Sequence, residues 1–199
     1  MYKVFYNQKP LCFTTDLKNN SNETPLFFLK FTHPNAIVKA LRNKSVSGVF
    51  LYHPKEEKME KQFLKLFPVV QAAGGLVEHS NGNFLFIYRN DKWDLPKGKV
   101  EKKEVLIEGA VREVREETGV TDLTVKKQLP TTYHIYNANG KFKLKKTSWF
   151  LMKTSFSGFL QPQLEENIQK AVWKSKNEIP ELLQNAYENI KTVINTIKE

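Results

Sequence analysis

The sequence predicts an α/β protein. Three features carry that expectation. A charged run with apolar residues at helical spacing lies near the middle of the chain, residues 104–117. A hairpin signal, Asn81-Gly82, separates two apolar, β-rich stretches just before it. Further β-branched and aromatic runs follow, and the C-terminal 20 residues read as helical.

Residues 1–68 read as a small α/β unit. Tyr2–Tyr6, Leu11–Thr15 and Leu26–Phe31 have the composition of short strands. The polar stretch Lys18–Thr24 between them is a loop. Pro34 suits the first turn of a helix that Ala36–Arg42 continues. Ser47–His53 reads as a strand. Pro54 then opens a second helix with Phe63, Leu64 and Phe67 on its apolar side, and Pro68 ends it. His33 and His53 each stand beside a proline, as turn residues do. No chemical constellation is visible in this unit. Packing against a second copy, lining a cleft and extending a sheet are all open to it.

Residues 69–199 read as a second domain. Val69–Asn90 gives two antiparallel strands around Asn81-Gly82. Asp91–Lys99 is a loop that delivers the chain to the helix. That helix spans about Glu104 to Glu117, with Leu106, Ile107, Ala110, Val111 and Val114 as its apolar side. Gly119 stands where a C-terminal glycine cap belongs. Thr124–Leu129, Thr131–Tyr136 and Lys143–Thr154 are strands, and Asn137–Gly140 is a turn. Pro180–Lys198 is mostly helix.

The composition narrows the chemistry. The chain has 199 residues and a formal net charge of +10. Basic balance of that size attracts polyanions such as nucleic acid, acidic membrane or phosphate-rich small molecules, and it also serves solubility. A single cysteine, Cys12, excludes an intramolecular disulfide and a cysteine-based zinc cluster, and it fits a reducing cytoplasm. No run has the apolar length of a membrane span, and MYKVFYNQKPLCF is expected to carry no secretory signal.

Glu113, Glu116 and Glu117 are spaced i, i+3 and i+4, so a helix sets them on one face within a turn, the side opposite its apolar residues. Carboxylates so crowded repel unless a positive charge sits among them. A hard divalent cation answers that need, Mg²⁺ foremost and Mn²⁺ as its substitute. Gly109, one turn earlier, either lets a ligand or neighbouring backbone approach or serves close packing.

The run from Gly98 to Val120, GKVEKKEVLIEGAVREVREETGV, resembles a complete Nudix box. Gly98, Glu104, Arg112, Glu113, Val114, Glu116, Glu117, Gly119 and Val120 fill its fixed positions without departure. The resemblance implies an α/β/α sandwich on a mixed sheet over the last two-thirds of the chain. It implies Glu113, Glu116 and Glu117 as metal ligands, with Arg112 and Glu104 orienting them. It implies hydrolysis of a phosphoanhydride in a nucleoside diphosphate linked to another group. The base that takes the proton from water is either a box glutamate or one of Glu165 and Glu166, which stand ahead of a strand ending at Trp173.

Trp93-Asp94-Leu95-Pro96-Lys97-Gly98 resembles the branches that cleave dinucleoside polyphosphates, such as diadenosine tetraphosphate, and diphosphoinositol polyphosphates. Many of those place a histidine after the glycine, where this chain has Lys99. Arg89, Lys97 and Lys99 are candidate phosphate contacts. Lys141, Lys143 and Lys145 share one strand face, so Lys145 is a further candidate, and Tyr136 is a candidate base-stacking ring. The leading expectation is a Mg²⁺-dependent dinucleoside polyphosphate hydrolase. An RNA 5′-pyrophosphohydrolase and an ADP-ribose or nucleotide-sugar pyrophosphatase are the enzymatic alternatives. A regulator that only senses nucleotides is the non-enzymatic one.

Overall fold

A computed structural model describes residues 3–197. The chain packs as two compact units. The first comprises Met1–Val70 with Tyr133–Lys146, and the second Gln71–Thr132 with Thr147–Glu199. Tyr133–Lys146, which the sequence reading grouped with the second domain, therefore packs with the N-terminal residues.

In the first unit, β1 (Val4–Tyr6) pairs antiparallel with β2 (Lys9–Thr14) and parallel with β9 (Thr124–Ala138). β4 (Val49–Tyr52) lies between β2 and β3 (Leu26–Phe28), parallel to both. β3 stops three residues short of the expected Phe31, because Phe31 and Thr32 turn back onto the Phe28 carbonyl. Helix α1 (Pro34–Arg42) begins at its proline, and the His33 ring caps it by accepting from the Asn35 amide. Helix α2 (Glu56–Phe63) starts two residues after Pro54. His53 closes that turn by accepting from the Lys55 amide. Ile37, Val38 and Leu41 of α1 and Met59 and Phe63 of α2 share one core with Val4, Leu11, Val49, Leu51, Tyr133, Ile135 and Leu144. Tyr2 lies outside the described residues.

In the second unit a mixed sheet is sandwiched between helices. β11 (Ile168–Lys174), β6 (Phe84–Arg89), β5 (Val69–His79) and β10 (Lys141–Thr154) lie side by side in that order, with β11 at the edge. Strand alternation divides the core. Leu76, Phe84, Phe86 and Trp149 face helices α4 (Ile179–Gln184) and α5 (Glu188–Ile194). Ala73, Val77, Leu85, Phe150 and Met152 face Ala110 and Val114 of helix α3 (Leu106–Thr118). Gly119 ends α3 in the left-handed conformation, as a cap requires.

Four expectations change. The segment read as a loop at 91–99 contains two short strands, β7 (Lys92–Asp94) on β6 and β8 (Lys97–Lys99) on β5. β9 runs unbroken through Pro130, which is exposed where β9 is the outer strand of this unit and no amide donor is needed. The C-terminal helix is two helices, because Asn185 and Ala186 leave it to pair with Trp93 on β7. Lys198 lies outside the described residues. Finally, α3 begins at Leu106, so Glu104 precedes the helix, and Ile107 is 45% exposed rather than part of its packed side.

Candidate active site

The packed stripe of α3 is Ala110, Glu113, Val114 and Glu117, spaced i, i+3, i+4 and i+7. Two of the three box carboxylates therefore lie on the buried side of the helix, not on the opposite side as expected from sequence. Glu117 is fully buried and Glu113 nearly so, whereas the Glu116 side chain is half exposed. Gly98 makes this arrangement possible. A Cβ there would overlap the Glu113 carboxylate, so glycine lets β8 pass against it in this position.

Arg112 organises the outer carboxylates. Its Nε donates to Glu104 Oε1 at 2.8 Å and its Nη2 to Glu104 Oε2 at 3.0 Å, a bidentate pair. Its Nη1 donates at 2.8 Å both to Glu113 Oε1 and to Glu116 Oε2. Its Nη2 also reaches the Lys99 carbonyl at 3.0 Å. Hydrogen bonds from Arg112 and from the Glu101 amide hold the Glu104 carboxyl down at about 2. Gly109 serves this group too: a Cβ there would meet Glu104 Oε2 at 2.9 Å. Close packing, here against the Glu104 side chain, is what the missing Cβ serves.

A second cluster forms around Glu117. Its Oε2 accepts from the Lys97 amide at 2.8 Å and its Oε1 from Arg89 Nη1 at 3.3 Å. Burial pushes its carboxyl up to about 7, against the pull of Lys97 and Arg89. Burial likewise raises Glu113, with Arg112 pulling the other way. Arg89 also lies 3.6 Å from Asp94 Oδ2 and 3.9 Å from Glu166 Oε2. Lys97 is buried, and its ammonium is 2.7 Å from Asp94 Oδ2.

Asp94 is thus a member of the site that the sequence reading did not single out. Its three-residue spacing from Lys97 across Leu-Pro was the signal. The Lys97 ammonium is committed to this buried pair rather than projecting into solvent.

An open cleft of about 470 Å³ lies beside the outer carboxylates. Lys99, Lys102, Glu113, Glu116, Gln163 and Glu166 line it. Glu166 belongs to a short 3-10 turn, Leu164–Glu166, ahead of β11, and it is the member of the acidic pair that reaches the cleft. Glu165 is exposed and is not among the lining residues. Tyr136 and Lys145 belong to the first unit, where the Lys145 ammonium stands 5.5 Å from the Tyr136 ring centre.

The donor chemistry fits a hard divalent cation, since Glu113, Glu116 and Glu117 offer six carboxylate oxygens from one helix. Among the described residues, no three His, Cys, Asp or Glu side chains converge on one point. The reason is visible: Arg112 holds Glu113 and Glu116, while Arg89 and the Lys97 amide hold Glu117.

Residues 68–195 match the NUDIX domain family. The chain belongs to the Nudix family. The mRNA-decapping protein g5R of African swine fever virus is 29% identical over 154 residues, which cover 72% of this chain and 53% of that protein. The chain spans about half the length of the curated relatives it matches. Two solved structures share the Nudix fold. One is an Ap4A hydrolase binary complex from C. elegans, with a TM-score of 0.50 and 23% identity, covering 65% of this chain and 95% of that one. The other is the MutT protein of Methanosarcina mazei Go1, with a TM-score of 0.52 and 22% identity, covering 66% and 94%. Among the described residues, no helix is long and apolar enough to cross a membrane.

Proposed function

We propose that this Nudix chain hydrolyses a phosphoanhydride within a bridge that joins two nucleosides, as in a dinucleoside polyphosphate. The observation that carries the reading is the cleft itself. It sets Lys99 and Lys102 beside Glu113, Glu116 and Glu166, so cationic groups for phosphate oxygens stand next to carboxylates suited to a cation. Diadenosine tetraphosphate represents the free form of such a substrate. A capped RNA 5′ end carries the same kind of bridge. The +10 charge and the decapping activity named for the viral relative favour the RNA-borne form.

In this reading Glu113, Glu116 and Glu117 hold Mg²⁺, for which Mn²⁺ substitutes. An ion held there would neutralise phosphate charge and lower the pKa of an attacking water. Arg112 fixes the angles of Glu113 and Glu116 from a frame set by Glu104. Arg89 and the Lys97 amide fix Glu117, and Asp94 neutralises the two cations that surround it. Glu166, half exposed at the cleft, accepts the proton of the attacking water. Lys99 and Lys102 bind phosphate oxygens. Lys97 acts by positioning Asp94 and Glu117.

The test is product analysis by chromatography over diadenosine tetraphosphate, capped RNA, triphosphorylated RNA, ADP-ribose and nucleoside triphosphates. The expected result is Mg²⁺-dependent release of mononucleotide products from a dinucleoside bridge. Turnover confined to ADP-ribose or to nucleoside triphosphates would remove the substrate assignment. Tight nucleotide binding with no turnover in Mg²⁺ or Mn²⁺ would leave a sensor instead.

A further inference from the structure

The net charge is not spread evenly over the chain. The first unit, residues 1–70 with 133–146, holds 15 Lys and Arg against five Asp and Glu, so its net charge is +10. The second unit holds 16 of each and is neutral. The whole basic excess therefore belongs to the unit without the box.

Within the first unit the charge is arranged by strand register. α1 and α2 pack on the face that carries Val4, Leu11, Val49, Leu51, Tyr133, Ile135 and Leu144. Alternation sends the neighbouring residues to the other face. Those residues are Lys141, Lys143 and Lys145 on β10, His134 and Tyr136 on β9, Phe50 and Tyr52 on β4, and Phe28 on β3. Strand pairing keeps them in register: His134 lies opposite Phe5, Cys12 opposite Phe50, and Phe28 opposite Tyr52. The Phe28 and Tyr52 rings meet edge to face at 5.1 Å. Phe28 is 45% exposed and Lys141 is exposed, while Tyr52, Tyr136, Lys143 and Lys145 are half-buried. Phe5 is buried and takes no part.

No described strand residue of this unit is acidic. Three of the five acids, Glu56, Glu57 and Glu60, belong to α2, which packs on the opposite face. The other two, Asp16 and Glu23, lie in the connection between β2 and β3.

We propose that this sheet face of the N-terminal unit binds single-stranded RNA, with bases stacked on Tyr136, Tyr52 and Phe28 and phosphates held by Lys141, Lys143 and Lys145. A row of lysines spaced by two residues tracks a charged backbone; Tyr136 stands on the adjoining strand, and Tyr52 and Phe28 stand on β4 and β3 towards the far edge of the sheet, where aromatic rings accept unpaired bases of any sequence. A duplex keeps its bases stacked on each other and offers no free face to such rings. The choice of RNA over other polyanions rests on the proposed 5′-end activity.

The test measures binding of the full chain to a fluorescent 20-nucleotide RNA with a 5′-hydroxyl, which has no phosphoanhydride to cleave. Its outcome is therefore independent of turnover. The Lys141→Gln/Lys143→Gln/Lys145→Gln variant should bind about tenfold more weakly in 50 mM salt. It should also flatten the slope of log K against log salt by about 2, at roughly 0.7 per lost phosphate contact. Phe28→Ala/Tyr136→Ala should weaken single-stranded RNA about tenfold and leave duplex RNA within about twofold. The thermal midpoint of each variant checks its fold, and the lysine variant keeps the test decisive if the aromatic one unfolds. Unchanged affinity and salt slope in a folded lysine variant would overturn the proposal. So would a lysine-dependent retention on phosphatidylserine vesicles without a matching loss of RNA binding.

Discussion

The guanidinium of Arg112 and the carboxylate of Glu104 meet edge to edge, with Nε–Oε1 at 2.8 Å and Nη2–Oε2 at 3.0 Å. That fork leaves Nη1 pointing at Glu113 and Glu116. A residue in the loop before α3 thus sets the angle at which the helix presents two carboxylates. Lysine keeps the charge but has no planar fork. Arg112→Lys should lower kcat about 10–100-fold, the usual loss when support for metal-binding carboxylates is removed. Steady-state kinetics at saturating Mg²⁺ checks this, and full activity would separate Arg112 from the function of the helix.

The same pair predicts a pH dependence. The Glu104 carboxyl sits at about 2 in the folded protein, below its ordinary 4.5. Its contribution to stability is present above about 4.5 and is lost as pH falls towards 2. Glu104→Gln should flatten the decline of unfolding free energy over that window. Urea titrations at pH 5, 4 and 3 measure it.

Gly98 leaves space for the Glu113 carboxylate. Gly98→Ala puts a methyl where that carboxylate stands, so the carboxylate has to move. A shift of about 1 Å at a reacting centre costs about 100-fold in rate, and at least that loss is expected. Activity retained within about threefold would show that β8 or Glu113 relaxes freely.

Lys97 and Asp94 form a buried ion pair at 2.7 Å. Removing one charge strands the other in the core. Asp94→Asn should therefore destabilise the protein by about 3 kcal/mol or more. The double change Asp94→Asn/Lys97→Met should recover much of that loss in denaturant unfolding.

The sequence was most readable where local chemistry decides the structure. The box spacing, the Pro34 start of α1 and the Gly119 cap are all local signals, and each stands where expected. The turn at Asn81-Gly82 is present as well, with Gly82 in the left-handed region. What sequence hid depends on tertiary packing. Periodicity put the box glutamates opposite the apolar side, yet Glu113 and Glu117 share the stripe of Ala110 and Val114. Their burial is compatible with charge only because Arg112 of the same helix pairs with Glu113 while Arg89 of β6 and the Lys97 amide of β8 reach Glu117. Asp94 escaped notice because its partners Arg89 and Lys97 lie on two different strands. The uneven charge was legible only in part: residues 1–70 hold 11 Lys and Arg against five Asp and Glu, and the remaining excess joins them once Tyr133–Lys146 is seen to pack there.

The central claim is that the carboxylates of α3 perform metal-dependent phosphoanhydride hydrolysis. Glu116 tests it most directly, because its half-exposed side chain lets Gln replace it without disturbing the core. The measurement is the initial rate of dinucleoside polyphosphate cleavage in Mg²⁺ for wild type and Glu116→Gln, alongside their thermal midpoints. A fall in rate of about 100-fold or more with an unchanged midpoint is expected. A rate within about threefold of wild type would contradict it.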